Sequence, residues 1–243
     1  MATKIMVDAG HFAGYNKAPN YPSYCEGDRM WQLAQYLVTE LKAYGFTVGQ
    51  TRSSVKDYPK TDEGKDSVYT RGQKAKGYDL LLSLHSNACD TESVNRAVII
   101  HPMNGKSVDL ANKIGNCVKS TMGVSSYQLL QRDYNTGNFI YDSKAHSGAD
   151  WYGVIRGAIS VGVPALIIEH GFHTNNAVAK WLTQDANLKK LAEAEAKAIA
   201  EHYGMKKDIY RVQVGAFHNK SLADTLCKEL KNRGYNDAFV VKK

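Results

Sequence analysis

Residues 163–175 read VPALIIEHGFHTN, an apolar run that ends in a carboxylate. Val163 to Ile168 have the unbroken apolar character of a strand covered on both faces, the kind found in parallel sheets rather than in surface hairpins. Glu169 closes that run. An ionised carboxylate there faces a desolvation cost of roughly several kcal/mol unless it is paired, protonated or set beside a cation. The sequence therefore predicts a compensating partner for Glu169.

Outward from this strand, four further stretches have the same character: KIMVDA (4–9), FTVGQTR (46–52), YDLLLSLHSN (78–87) and RAVIIHP (96–102). Trp31, Ala34, Leu37, Leu41 and Tyr44 recur at helical spacing over 28–44, and Gly45 supplies the stop. Helical patterns also occupy 67–77, 106–121, 151–160 and 187–203. Strands alternating with helices predict an α/β fold, a twisted and mostly parallel sheet with helices on both faces. Residues 121–150, rich in Gly, Asn, Ser and Asp, read as a long loop or short irregular segments able to wall a cleft.

The segment GMKKDI (204–209) reads as a boundary, giving domains at 1–205 and 206–243. The second is expected to be a small βαβ unit: a strand at 210–216, a helix at 221–233 with Ala223, Leu226, Cys227 and Leu230 on one face, and a strand at 238–242. Of the net charge of +7, residues 206–243 supply +5, nine Lys or Arg less four Asp or Glu. Such a tail can meet nucleic acid, anionic lipid or the anionic polymers of a cell wall, and at this density a plain solvated surface is the simplest single explanation.

No apolar stretch is long enough to span a bilayer, and MATKIMVDAGH lacks the apolar core of a secretory signal, so cytoplasmic synthesis without a signal peptide is expected. Cys25, Cys89, Cys117 and Cys227 lack CxxC spacing and read as plain thiols. Cys89, four residues after His85, is a weaker alternative as a metal ligand.

His11, Glu26, His85 and Glu169 each lie near a strand end or a helix start, where open α/β sheets place ligand sites. Two histidines and a glutamate can hold a catalytic zinc with one position left for water. Spacing alone leaves this open against ordinary strand-end histidines and a first-turn carboxylate on a helix dipole. Ser83 and Ser86 flank His85, but no GxSxG elbow accompanies them.

Read together, VDAGH (7–11), the Glu fifteen residues beyond His11, AYGFTVGQTR (43–52), LLLSLHSNA (80–88) and VPALIIEHGFHTN resemble the zinc-dependent N-acetylmuramoyl-L-alanine amidases of the amidase_3 family over about residues 3–203. The resemblance implies Zn2+ held by His11, Glu26 and His85, with Glu169 as the catalytic group. It implies hydrolysis of the amide joining the muramic acid lactyl group to L-Ala, and the lack of a signal peptide suggests a phage endolysin released through holin lesions or a sporulation autolysin freed by cell lysis. Arg71 lies where the family commonly has arginine and reads as structural. Roles for His146, His170, His173 and Asn87 stay open. A zinc carboxypeptidase acting on wall peptides and a noncatalytic wall-binding protein are the alternative readings.

The stretch YRVQVGAFHNKSLADTLCKELKNRGYNDAFVV (210–241) is similar to one βαβ repeat of the SPOR domain. That similarity implies binding of glycan strands stripped of stem peptides, with Gln213 a possible contact. The family's module usually has two such halves, so a homodimer joining one half from each chain is expected. The partners expected overall are peptidoglycan and a second copy, with no nucleic acid and no membrane.

Overall fold

The structure, a computed structural model, describes residues 2–57, 67–207 and 212–242. It divides into two compact units, residues 1–207 and 208–243. In the first unit the strands are β1 (Lys4–Ala9), β2 (Lys17–Ala18), β3 (Tyr21–Cys25), β4 (Thr47–Gln50), β5 (Leu80–Asn87), β6 (Arg96–Ile100), β7 (Ser126–Arg132), β8 (Phe139–Ile140) and β9 (Ala165–Phe172). Its helices are α1 (Glu26–Ala43), α2 (Ser67–Gln73), α3 (Val108–Met122), α4 (Gly153–Ser160), α5 (Asn176–Leu182) and α6 (Asp185–His202).

Seven strands form one sheet in the order β4-β1-β5-β9-β6-β7-β8, with β2 and β3 as a separate pair. β4, β1, β5 and β9 run parallel. β6 runs antiparallel to β9, because the short link from Asn87 to Arg96 holds no crossover helix and the chain has to turn back. The sheet is thus mixed and mostly parallel, in keeping with the expected α/β architecture.

Alternation along the central strands splits the core into two layers. Leu80, Leu82, Leu84 and Ile168 pack under α1, α3 and α6 with Leu33, Leu37, Ile114 and Leu191. Leu81, Val98, Ile100 and Ile167 pack under α2 and α4 with Ala75, Val154, Ile155 and Ala158. Glu169, two residues beyond Ile167, projects on the α2 and α4 side.

Two expectations need correction. Residues 126–132 and 139–140, read as loop, are strands: SYQLLQR pairs with β6 over five residues and Gln131 and Arg132 pair with β8. Its exposed and half-buried positions at the sheet's end hid the pattern. In the second unit the helix is present as α7 (Lys220–Asn232), but residues 212–216 and 238–242 form no strand. Extended segments need a ladder to become a sheet, and none pairs these two among the described residues. Tyr210 and Arg211, the start of the first of these expected strands, lie outside the described residues. No helix is long and apolar enough to cross a membrane among the described residues.

Candidate active site

β1 delivers His11 to the carboxyl edge of the sheet through Gly10. A side chain at Gly10 would sit within 2.4 Å of the His85 ring, so glycine is what lets the two strand ends close on each other. His11 itself adopts φ of 57°, the sparsely populated left-handed region where strain gathers at functional sites. Glu26 is the first residue of α1 and is 1% exposed, brought inward because β2 and β3 fold the preceding chain back over the sheet edge.

The three side chains meet. His11 Nε2 lies 3.2 Å from Glu26 Oε2, and His85 Nδ1 lies 3.0 Å from Glu26 Oε1. Ligating atoms of all three fall within 4.8 Å of one another, and the two imidazoles meet edge to face at 4.8 Å. Burial by itself pushes the Glu26 carboxyl up, but hydrogen bonds and charge from His11 and His85 outweigh it and hold Glu26 well below the usual carboxylate range. His85 is lowered by burial and raised more by Glu26, ending at about 9. A carboxylate with two imidazoles attracts positive charge, and this donor set of two nitrogens and one oxygen fits a divalent zinc. Among the described residues this is the one cluster of that kind, and Cys89 is not part of it; its thiol donates to the Thr91 carbonyl at 3.3 Å.

Glu169 stands opposite His85 in the β5–β9 ladder. The compensating partner expected for it is not a hydrogen bond at Oε2, which is buried with none; burial instead raises its pKa to about 7 against the pull of His85. A proton acceptor held near neutrality beside a cation-binding cluster can take a proton from water and give it back.

Around these groups lies a shell that sequence reasoning did not assemble. Asn16 accepts the Glu26 backbone N–H at 3.0 Å and its side-chain amide donates to Glu26 Oε2. The Ser86 N–H donates to Glu26 Oε1 at 2.9 Å. The Ser86 hydroxyl joins the Tyr24 hydroxyl at 2.5 Å and His173 Nδ1 at 2.9 Å, and His173 stacks on Tyr24. His173 Nδ1 also meets the Ser86 carbonyl at 3.1 Å, so this nitrogen carries the proton and donates. Burial lowers the His173 pKa, which keeps the ring neutral.

His170 points to the opposite layer. Its Nδ1 donates to the His85 carbonyl at 2.9 Å and its Nε2 donates to Glu195 of α6 at 2.8 Å, with both side chains fully buried. Arg71 donates to the His11 carbonyl at 3.1 Å and lies 3.5 Å from Asp8, tying α2 to the end of β1. Asp8 also accepts from Ser83 at 2.6 Å, which leaves that serine engaged and fully buried. Arg52 donates to the Ala9 and Gly10 carbonyls, each at 3.2 Å. Asn87 offers its backbone carbonyl to the His173 N–H at 2.8 Å. His146 is apart from the cluster, paired with Asp142 at 3.0 Å.

The N-acetylmuramoyl-L-alanine amidase family model, Amidase_3, matches residues 5–201, and the SPOR domain model matches residues 184–242, of which 185–202 are α6 of the first unit. The N-acetylmuramoyl-L-alanine amidase CwlM of Bacillus licheniformis is 33% identical over 82 residues, 32% of this chain and 32% of its own length. A sporulation-specific N-acetylmuramoyl-L-alanine amidase of Bacillus subtilis strain 168 is 30% identical over 84 residues, 33% of each chain. The chain's matching stretch thus spans about a third of the curated relatives. The catalytic domain of CwlV from Paenibacillus polymyxa superposes with a TM-score of 0.64 at 18% identity, over 84% of this chain and 99% of that one. CwlD of Clostridioides difficile, solved with the GerS lipoprotein, gives 0.64 at 18% identity over 83% and 98%. At that identity the likeness is one of fold. With its sheet, its cluster and a family match over most of its length, the chain belongs to the N-acetylmuramoyl-L-alanine amidase family Amidase_3.

Proposed function

We propose that this chain hydrolyses the amide between the lactyl group of N-acetylmuramic acid and the L-Ala of the stem peptide in peptidoglycan, with zinc held by His11, Glu26 and His85 and with Glu169 as the catalytic residue. The observation that carries this reading is the pairing of two unlike carboxylates across one small site. Glu26 is held ionised by two imidazoles, while Glu169, with a buried and unpartnered oxygen, sits near neutrality.

When bound, zinc would polarise the scissile carbonyl and make water a stronger acid. Glu169 accepts the attacking water's proton and returns it to the departing L-Ala amine, which leaves neutral. His11, Glu26 and His85 hold the cation, and Ser86 N–H and Asn16 fix the orientation of the Glu26 carboxylate. Peptide-bond cleavage within wall peptides uses the same kind of machinery and is the second reading; the family match favours the muramoyl amide. A soluble muramoyl peptide tests the two: zinc-loaded protein is expected to free the L-Ala amine, to lose this on chelation and to regain it with zinc. A free amine at any other residue contradicts the muramoyl assignment.

Residues 1–205 are proposed as the catalytic domain and 206–243 as a wall-binding half repeat with Gln213 a candidate glycan contact, a division supported by the two compact units. The second unit buries no residue of α7 and exposes Val212, Val214, Leu222, Phe239 and Val241 by more than half each. So small a unit with apolar faces in water supports the further proposal that two chains pair their halves. Light scattering of the full chain tests it, since a monomer at micromolar concentration contradicts pairing.

A further inference from the structure

The loop from Phe12 to Asn16 borders the candidate cation site and touches two of its three side chains. Asn16 holds Glu26 through its carbonyl and its side-chain amide. Its neighbour Tyr15 meets His11: the two rings stack with centroids 4.7 Å apart and planes 26° apart, within the range of favourable aromatic pairs. Tyr15 is 46% exposed, so filling the core is not what keeps its ring there.

The loop is fixed on the helix that supplies Glu26. The Tyr15 carbonyl accepts the Gly27 N–H at 3.2 Å and the Cys25 thiol at 3.1 Å, and the Tyr15 N–H donates to the Phe12 carbonyl at 3.2 Å. The Gly14 N–H donates to Asp28 at 3.1 Å. A side chain at Gly27 would come within 1.9 Å of the Phe12 carbonyl oxygen, so glycine there lets the loop seat on the first turn of α1. Phe12 flanks the Tyr15 ring at 4.9 Å. Held this way, the Tyr15 ring can restrain a neighbour.

His11 is the candidate ligand that needs restraint. Its side chain is 27% exposed, against 18% for His85 and 1% for Glu26, and its backbone takes the left-handed φ of 57°. A metal-binding histidine commonly fixes its ring by donating the second ring N–H to a neighbouring acceptor. Among the described residues, the one polar contact of the His11 ring is Glu26 itself. The ring is gripped instead by the stack on Tyr15 and by the His85 ring, set at 82° to it.

We propose that Tyr15 is a positioning residue: its ring holds the His11 imidazole in the orientation that sets Nε2 toward Glu26, so that the site is assembled before a cation arrives. Without the stack, the exposed imidazole samples other rotamers and has to be recaptured on binding, which weakens affinity in proportion to the time it spends turned away. Binding a cation also draws electrons from the imidazole, and the negative face of the tyrosine ring attracts an electron-poor partner more strongly. The inference rests on the reading of His11 as a zinc ligand, and it assigns the work to the ring rather than to the phenol hydroxyl.

The test uses full-length wild type, Tyr15→Phe and Tyr15→Leu in competition for zinc with a chromophoric chelator. Tyr15→Leu is expected to bind zinc about three- to tenfold more weakly, the loss of one aromatic contact, and Tyr15→Phe to stay within about twofold of the wild type. The unfolding midpoint of metal-free Tyr15→Leu is expected to stay near the wild-type value, since nearly half of Tyr15 is in water. In the metal-free proteins the His11 ring protons, assigned with His11→Gln, are expected to be shifted upfield by the stack in the wild type and Tyr15→Phe, and to return toward free-histidine positions in Tyr15→Leu. Wild-type zinc affinity in Tyr15→Leu overturns the proposal. So does a loss in Tyr15→Phe as large as that in Tyr15→Leu, which would give the role to the hydroxyl. The same His11 signal in all three proteins overturns it without reference to metal. Failure of the wild type to bind zinc would refute the zinc reading, and the histidine signals would still decide whether Tyr15 holds the ring.

Discussion

His85 and Glu169 face each other in register across the parallel β5–β9 ladder. A candidate ligand and the candidate proton acceptor are thereby fixed on one rigid sheet, and the other two candidate ligands, His11 and Glu26, are carried to them by the turn after β1 and by the start of α1.

The close approach of β1 to β5 is the first place to test this. Gly10→Ala would force a methyl group to within 2.4 Å of the His85 ring. The imidazole has to move, so zinc affinity is expected to fall about 10- to 100-fold, as when support around a metal ligand is lost. Competition with a chromophoric chelator measures it; wild-type affinity would show that His85 is not a ligand.

Glu169 should cost the metal-free protein stability. Its pKa is raised in the folded state, from 4.5 to about 7, so the native form holds its proton more tightly than the unfolded chain. That contribution is complete below pH 4.5 and is lost as pH rises through 7. Stripped of metal, Glu169→Gln is expected to gain on the wild type by up to about 3 kcal/mol between pH 4.5 and 8, while losing activity. Denaturant midpoints across that range decide it, and parallel curves contradict the assignment.

The buried Tyr24, Ser86 and His173 network should carry stability more than metal affinity, because Glu26 is held by the Ser86 backbone rather than its hydroxyl. Ser86→Ala leaves buried polar groups with lost partners at a cost of about 1–3 kcal/mol. Urea unfolding is expected to show that loss with zinc affinity nearly unchanged; a large drop in affinity at constant stability would give the hydroxyl a direct role at the metal.

Glu195 and His170 form the other buried link. Burial alone lowers the His170 pKa, but Glu195 and the His85 carbonyl outweigh it and the ring is held above its ordinary value. This stabilisation is fully present below the unfolded value of 6.5 and is lost as pH rises through the raised folded value. Glu195→Ala is expected to destabilise by about 3–5 kcal/mol at pH 6, where it leaves a buried imidazolium unpaired, and by less at high pH. Thermal melts at several pH values test the trend, which a pH-independent loss would contradict.

Much of this was legible in the sequence because burial on both faces forces continuous apolar strands, and β1, β4, β5, β6 and β9 all lie where those runs lie. The direction of β6 depended on the absence of a helix between Asn87 and Arg96, and β7 was lost because only Leu130 and Gln131 of SYQLLQR are fully buried. Val212 and Val214 alternate as in a strand, but no ladder holds them among the described residues. The histidines and Glu169 stood out as polar residues at apolar strand ends. Their supporting shell did not, because Tyr24 reaches Ser86 only once β2 and β3 have folded back. Glu195 did leave a signal, a carboxylate on the apolar face of α6 among Leu188, Leu191, Ala192 and Ile199.

The most direct test is digestion of purified peptidoglycan by the zinc-loaded wild type, by Glu169→Ala and by chelated wild type, with the new chain ends identified chemically. New L-Ala amino termini, no new reducing sugars, and neither product in the two controls are the predicted result. Termini at other residues, or undiminished release by Glu169→Ala, would contradict the account.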